Sequence, residues 1–214
     1  MSAIEQLKKG IPPVLPETTA LIIIDMQNDF VKPEGYVGSK GHDLASVIDT
    51  IPENLKLLRF CREKKITVIF TQTVHHTYTD SKNWLGRSGE KKNDAGICRP
   101  RTWGSEIIDE LKPLNGEIVV EKHRYDAMLD TDLDLILRSK NIATVLITGT
   151  QTNLCVDSTA RHIFMMDYKT ILVRDCISTT DADLHEPMLR NFHLNFGYVV
   201  SLEKIIEILS TAEK

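Results

Sequence analysis

Three residues that could together run acyl transfer stand far apart in the chain: a carboxylate at Asp25, an amine at Lys122 and a thiol at Cys155. A thiolate is a strong nucleophile, and a nearby ammonium stabilises it. A carboxylate can take the thiol proton and later deliver it to a leaving amine. Taken singly, each has an ordinary reading. Asp25 reads as a solvated strand-end carboxylate or a helix cap, Lys122 as a surface lysine, and Cys155 as a small buried hydrophobe. Their positions beside apolar runs are what link them, and that requires the elements that hold them.

Five short β-branched runs read as strands: Ala20–Ile24, Ile66–Phe70, Glu117–Val120, Thr144–Ile147 and Thr170–Val173, with a weaker sixth at Tyr198–Val200. They are continuous rather than alternating, as strands buried on both faces should be. Helical patterns fall between them at Pro52–Lys64, Asp132–Ser139, Val156–Met166 and Asp183–Phe196. Thr131 is a candidate N-cap, and Ser201 could cap a last helix running through Ile208. The alternation predicts an α/β fold, a three-layer α/β/α sandwich on a mostly parallel, Rossmann-like six-stranded sheet. We read residues 1–18, with Pro12, Pro13 and Pro16, as an N-terminal arm and 19–214 as one domain.

Ligands of such sheets sit beyond the carboxyl ends of the strands. Asp25 directly follows the first run, Lys122 ends the third, and the fourth leads through Gly149-Thr150-Gln151-Thr152-Asn153-Leu154 to Cys155. Acid, amine and thiol therefore meet at one sheet edge by topology. A thiol at a helix start beside an ammonium is expected to have a lowered pKa. Backbone N–H groups of the Gly149–Cys155 turn could face a developing oxyanion.

At these residues the sequence resembles the isochorismatase-like cysteine hydrolases. Leu21-Ile22-Ile23-Ile24-Asp25-Met26-Gln27-Asn28-Asp29-Phe30 is similar to their first motif, Glu121-Lys122-His123-Arg124-Tyr125-Asp126-Ala127-Met128 to their lysine motif, and Gly149 through Arg161 to their nucleophile motif. The resemblance runs from Thr19 to Ile208, with the motifs in family order. It implies Cys155 as nucleophile, Asp25 as proton shuttle and Lys122 as electrostatic partner. It also implies a cis peptide at Thr150–Gln151, which would place the N–H groups of Gln151 and Cys155 as an oxyanion hole. A cysteine at position 155 resembles the thiol amidohydrolases rather than isochorismatases themselves.

The motifs look most like the branch of ureidoacrylate amidohydrolase, N-carbamoylsarcosine amidase and biuret hydrolase, which cleave ureido or carbamoyl C–N bonds and release ammonia. The implied partner is a small amide or ureide. Phe30, His75, Arg124, Tyr125, Gln151 and Thr152 are candidate substrate contacts. Arg124 either binds a substrate carboxylate or pairs with Asp126 or Asp130 on the surface. Nicotinamidases carry an Asp-x-His metal motif after strand two. Here Thr73 replaces that aspartate ahead of His75, so no metal or other cofactor is expected; His75 and His76 line the pocket or sit in a solvated loop. Thr73 and His75 also stand where a ureidoacrylate enzyme is expected to carry Asn and Trp. A nicotinamidase-type amidase and a non-catalytic ligand-binding member of the same fold remain the rival readings.

The segment Val74–Trp103 is long and polar, and holds Arg87, Arg99 and Arg101 with Trp84 and Trp103. It reads as a functional loop or lid, either an anion-binding one or a solvated charged loop. Met165 and Met166 read as helix core, and Cys61, Cys98 and Cys176 as inert thiols. The 26 basic and 30 acidic residues give a net charge of −4, which excludes an electrostatic footprint for nucleic acid or an anionic membrane. No apolar run is long enough to span a bilayer, and no secretory leader is visible. The wide cysteine spacing fits a reducing, cytoplasmic setting. The resemblance implies a homo-oligomer, a dimer or tetramer.

Overall fold

The computed structural model describes residues 10–87 and 96–212. The first half of the expected arm and residues 88–95 of the expected lid lie outside the described residues.

Six strands form one all-parallel sheet: β1 (Thr19–Ile24), β2 (Thr67–Thr73), β3 (Ile118–Lys122), β4 (Thr144–Thr150), β5 (Lys169–Ser178) and β6 (Tyr198–Val200). Their order is β3-β2-β1-β4-β5-β6. Every residue of β1 is buried, which explains its unbroken apolar sequence. Ala20, Ile22 and Ile24 point into one core and Leu21 and Ile23 into the other.

Nine helices are described, in chain order α1 (Asn28–Val31), α2 (Tyr36–Ser39), α3 (Ala45–Ile48), α4 (Ile51–Glu63), α5 (Lys82–Gly86), α6 (Leu133–Ser139), α7 (Asp157–Met165), α8 (Ala182–Asn195) and α9 (Leu202–Thr211). The first core is closed by Leu133 and Leu137 of α6, Ala160 and Ile163 of α7, and Leu189 and Phe192 of α8. The second is closed by Leu57, Leu58 and Cys61 of α4 and Ile205 and Leu209 of α9. This is the expected three-layer sandwich. Ser201 caps α9 by accepting from the Lys204 N–H. The hydroxyl of Thr131 accepts from the Leu133 N–H, one position earlier than a regular cap, because Asp132 begins the turn. No helix among the described residues is long and apolar enough to cross a membrane.

Two expectations need correction. Met165 and Met166 are 64% and 44% exposed, not core, because α7 ends there and turns both side chains outward. Cys155 is not at the start of a regular α-helix. It lies in a π-helical turn, Thr152–Val156, that precedes α7.

The centre of the sheet is where the winding reverses, with β1 between β2 and β4. There Gly149 has φ +105°, and a Cβ on it would stand 2.0 Å from the carbonyl oxygen of Ile24. Only glycine lets β4 lie this close to β1, and both strands then deliver their next residues to one crevice.

Candidate active site

Asp25 leaves β1 with φ +50°, a left-handed turn that aspartate tolerates better than most residues. Its N–H donates to the Thr71 hydroxyl, and that hydroxyl donates to Oδ1 of the same aspartate at 2.6 Å. Thr73 donates to Oδ2 at 3.0 Å. Two hydroxyls, two residues apart on one face of β2, thus fix both carboxylate oxygens. Gln27 locks that strand end. Its Oε1 accepts from the Thr73 N–H, and its Nε2 donates to the carbonyls of Thr73 and Ser105.

Lys122, the last residue of β3, pairs in register with Thr73. Its Nζ lies 2.7 Å from Asp25 Oδ2, 2.8 Å from Thr73 Oγ1, 2.9 Å from the Arg124 carbonyl and 3.5 Å from Cys155 Sγ. The pair is sealed, with side-chain exposures of 0% for Lys122 and 1% for Asp25. Burial alone would lower the ammonium, but the negative charge of Asp25 and the neighbouring Cys155 raise it above its ordinary value. The three residues nominated from sequence therefore converge.

The expected lowering of the Cys155 pKa is not what the structure has. Burial pushes the thiol up, the Lys122 ammonium offsets only part of this, and the Asp25 carboxylate adds to the rise. The main physical reason is burial of the sulfur, and the Asp25 carboxylate also offsets part of the Lys122 field. Burial therefore favours the protonated thiol beside the Asp25–Lys122 ion pair.

The peptide Thr150–Gln151 is cis. Beyond it, Cys155 opens onto a cavity of about 360 Å³. Of the candidate substrate contacts, Phe30, His75, Arg124, Tyr125 and Gln151 line it. Thr152 does not. Its buried hydroxyl is turned away to His185 Nδ1 at 2.9 Å, because the π-turn rotates residue 152 behind residue 155.

One wall is an aromatic and guanidinium stack. Trp84 lies 4.9 Å from Tyr125, with Arg87 at 3.9 Å and Arg124 at 4.8 Å over its ring. Arg87 also donates to the Tyr125 hydroxyl. Arg124 donates to the carbonyls of His123 and Thr79, and among the described residues it pairs with neither Asp126 nor Asp130. Asp126 instead meets His162 at 2.6 Å. Arg99 braces the loop through Asp80 and the His75 carbonyl rather than facing the cavity, and Trp103 is half exposed elsewhere.

His75 is 3% exposed, and among the described residues its Nδ1 has no hydrogen-bond partner. Burial first, then the positive charge of Arg87, lowers its pKa to about 4, so it is neutral at pH 7.

Sequence reasoning missed Thr71, Thr73 and Gln27 as parts of the site. Thr73 registered only as an absent metal ligand. The available signal was the Thr-x-Thr spacing at the end of a buried strand, which aims two hydroxyls at one neighbour. Tyr36 and Ile97, also on the cavity, were missed because α2 and residues 96–98 carry no periodic pattern. Asp29 joins these two segments by accepting from the Tyr36 and Cys98 N–H groups.

The isochorismatase domain family matches residues 19–204. Ureidoacrylate amidohydrolases of Caulobacter vibrioides and Cronobacter turicensis are 32% and 31% identical over 200 and 211 residues, covering 87% and 92% of this chain and 89% and 90% of theirs. A cysteine hydrolase from Pseudomonas syringae superposes with a TM-score of 0.87 at 26% identity, over 96% of this chain and 100% of that one. N-carbamoylsarcosine amidase from Thermoplasma acidophilum superposes with a TM-score of 0.71 at 27% identity, over 87% and 97%. Fold, matched span and identity agree that this chain belongs to the isochorismatase family of hydrolases.

Proposed function

We propose that this chain, acting through one domain at 19–214, is a cysteine-dependent amidohydrolase. It hydrolyses a C–N bond of a small amide or of a ureido or carbamoyl compound and releases ammonia. The observation that carries this reading is the sealed Asp25–Lys122 pair with Cys155 at its open end.

In the proposed mechanism Asp25 takes the Cys155 proton as the sulfur attacks the carbonyl carbon. The carbonyl oxygen becomes an oxyanion facing the N–H groups of Gln151 and Cys155. The tetrahedral adduct collapses, the C–N bond breaks, and Asp25 gives its proton to the departing ammonia. A water then loses a proton to Asp25, attacks the thioester and frees the acid, and the proton returns to the thiolate. Lys122 holds the negative charge at each stage. Arg87 and Arg124 on the Trp84–Tyr125 wall favour a planar substrate that carries a carboxylate. The named activity of the ureidoacrylate amidohydrolase relatives supports the ureide class. Homo-oligomeric assembly and cytoplasmic residence belong to the same reading.

The test is ammonia release from ureides, carbamoyl amino acids, biuret, nicotinamide and simple amides, with Cys155→Ala as the blank. Turnover of a ureide or carbamoyl compound by the native chain and none by Cys155→Ala is expected. Turnover retained by Cys155→Ala refutes the mechanism, and turnover of nicotinamide alone refutes the substrate class.

A further inference from the structure

We infer that Thr73 is a positioning residue of this reaction: its hydroxyl, set between Lys122 and Asp25, orients the carboxylate to receive the Cys155 proton. This rests on the reaction proposed above and assigns it a part that neither acid, amine nor thiol supplies.

The hydroxyl has one proton, and its direction is decided by what surrounds it. Lys122 Nζ is 2.8 Å away and can only donate, so it occupies a lone pair of Oγ1. The Thr73 proton is left to point at Asp25 Oδ2, 3.0 Å away. A donated hydrogen bond favours the charged form of a carboxylate. The same oxygen also meets Lys122 at 2.7 Å, so carboxylate, ammonium and hydroxyl close a three-membered ring.

Thr73 is unusually well fixed for this task. Its N–H and carbonyl are both bonded to Gln27, and its branched side chain has few rotamers. Unlike Thr71, it also lines the cavity. The other groups facing Asp25 and Thr73 come from several elements: Lys122 from β3, Cys155 from the π-turn, Thr71 from β2 and Cys98 from the segment after residue 95. Asp29 adds charge beside Cys98, and His75 and Arg124 stand on the cavity side. Among these, the hydroxyl of Thr73 alone bridges Asp25 and Lys122.

The test uses the full chain and needs no substrate. The rate of Cys155 alkylation by iodoacetamide is followed from about pH 4 to about pH 10, with the modified site mapped by peptide mass spectrometry. In Thr73→Val the acid-side inflection is expected to move up by about one pH unit, and in Thr73→Ser to stay with the native chain. Thr73→Ala carries the same expectation if the valine variant does not fold. An inflection unmoved in the hydroxyl-free variant, even with a lower thermal midpoint, overturns the inference, as does an equal shift in Thr73→Ser. Failure of the proposed reaction would show separately, as ammonia release that does not depend on Cys155.

Discussion

The buried pair of Asp25 and Lys122 makes a prediction whose sign can be worked out for each partner. At 2.7 Å and an effective dielectric constant of about 20, their attraction is about 6 kcal/mol. Removing one partner strands the other charge in the interior, which costs about 3–5 kcal/mol. For a chain of this size that lowers the thermal midpoint by about 6–20 °C.

The two single variants should respond oppositely to pH. In Lys122→Met the stranded carboxylate holds a proton more tightly when folded than in the unfolded chain, where it titrates near about 3.9. The folded state then binds more protons above that pH, so stability falls as pH rises from about 4 to about 8. In Asp25→Asn the stranded ammonium loses its proton more readily than in the unfolded chain, where it titrates near about 10.4. The unfolded state then binds more protons, so stability rises with pH toward that value. In the native chain Lys122 is raised, so its own contribution is present below about pH 10.4 and is lost as pH climbs through the higher folded value.

The double variant Asp25→Asn/Lys122→Met carries no stranded charge and is expected to be more stable than either single one. The assay is a double-mutant cycle of urea unfolding at several pH values. Deficits that add to within about 0.5 kcal/mol, or pH slopes of the same sign in both single variants, would refute this account of the site.

Two further outcomes follow from the structure. His75, neutral down to about pH 4, favours the folded state above its unfolded value of 6.5, and this contribution of up to about 3 kcal/mol disappears as pH falls to 4. His75→Phe should flatten the loss of stability over that window, and an NMR titration of the native ring should show an inflection near pH 4 rather than 6.5. Gly149→Ala places a Cβ against the Ile24 carbonyl at positive φ, so calorimetry should show a midpoint at least about 10 °C lower.

The fold was legible because its signal is local. The apolar runs of β1 and β4 can only be strands buried on both faces, and the helical patterns between them leave few topologies. The convergence of Asp25, Lys122 and Cys155 was legible because a parallel sheet sends every strand end to the same edge. The ionisation of Cys155 was not, because it depends first on how deeply the sulfur is buried and then on the balance of Lys122 and Asp25 around it, which spacing does not encode. Thr152 was misplaced for a related reason. A π-turn and a regular helix start share the same residues but rotate them differently, and nothing in Thr-Asn-Leu-Cys distinguishes the two. The cavity walls were least legible. They come from the segments after β1, β2 and β3, where side chains meet through tertiary geometry alone, as Asp29 does in tying residue 36 to residue 98.

The spacing of Lys122 between its two anionic neighbours has an energetic consequence. In the proposed proton transfer from Cys155 to Asp25, the negative charge would move from 2.7 Å to 3.5 Å from Nζ. At the same effective dielectric constant that displacement weakens the attraction to Lys122 by only about 1.4 kcal/mol. The interior never gains or loses a net charge in that step; a single negative charge slides along a fixed cation. In the proposed reaction the sealed Asp25–Lys122 pair would therefore let the thiolate form only as it attacks, with no reactive thiolate held at the cavity between turnovers.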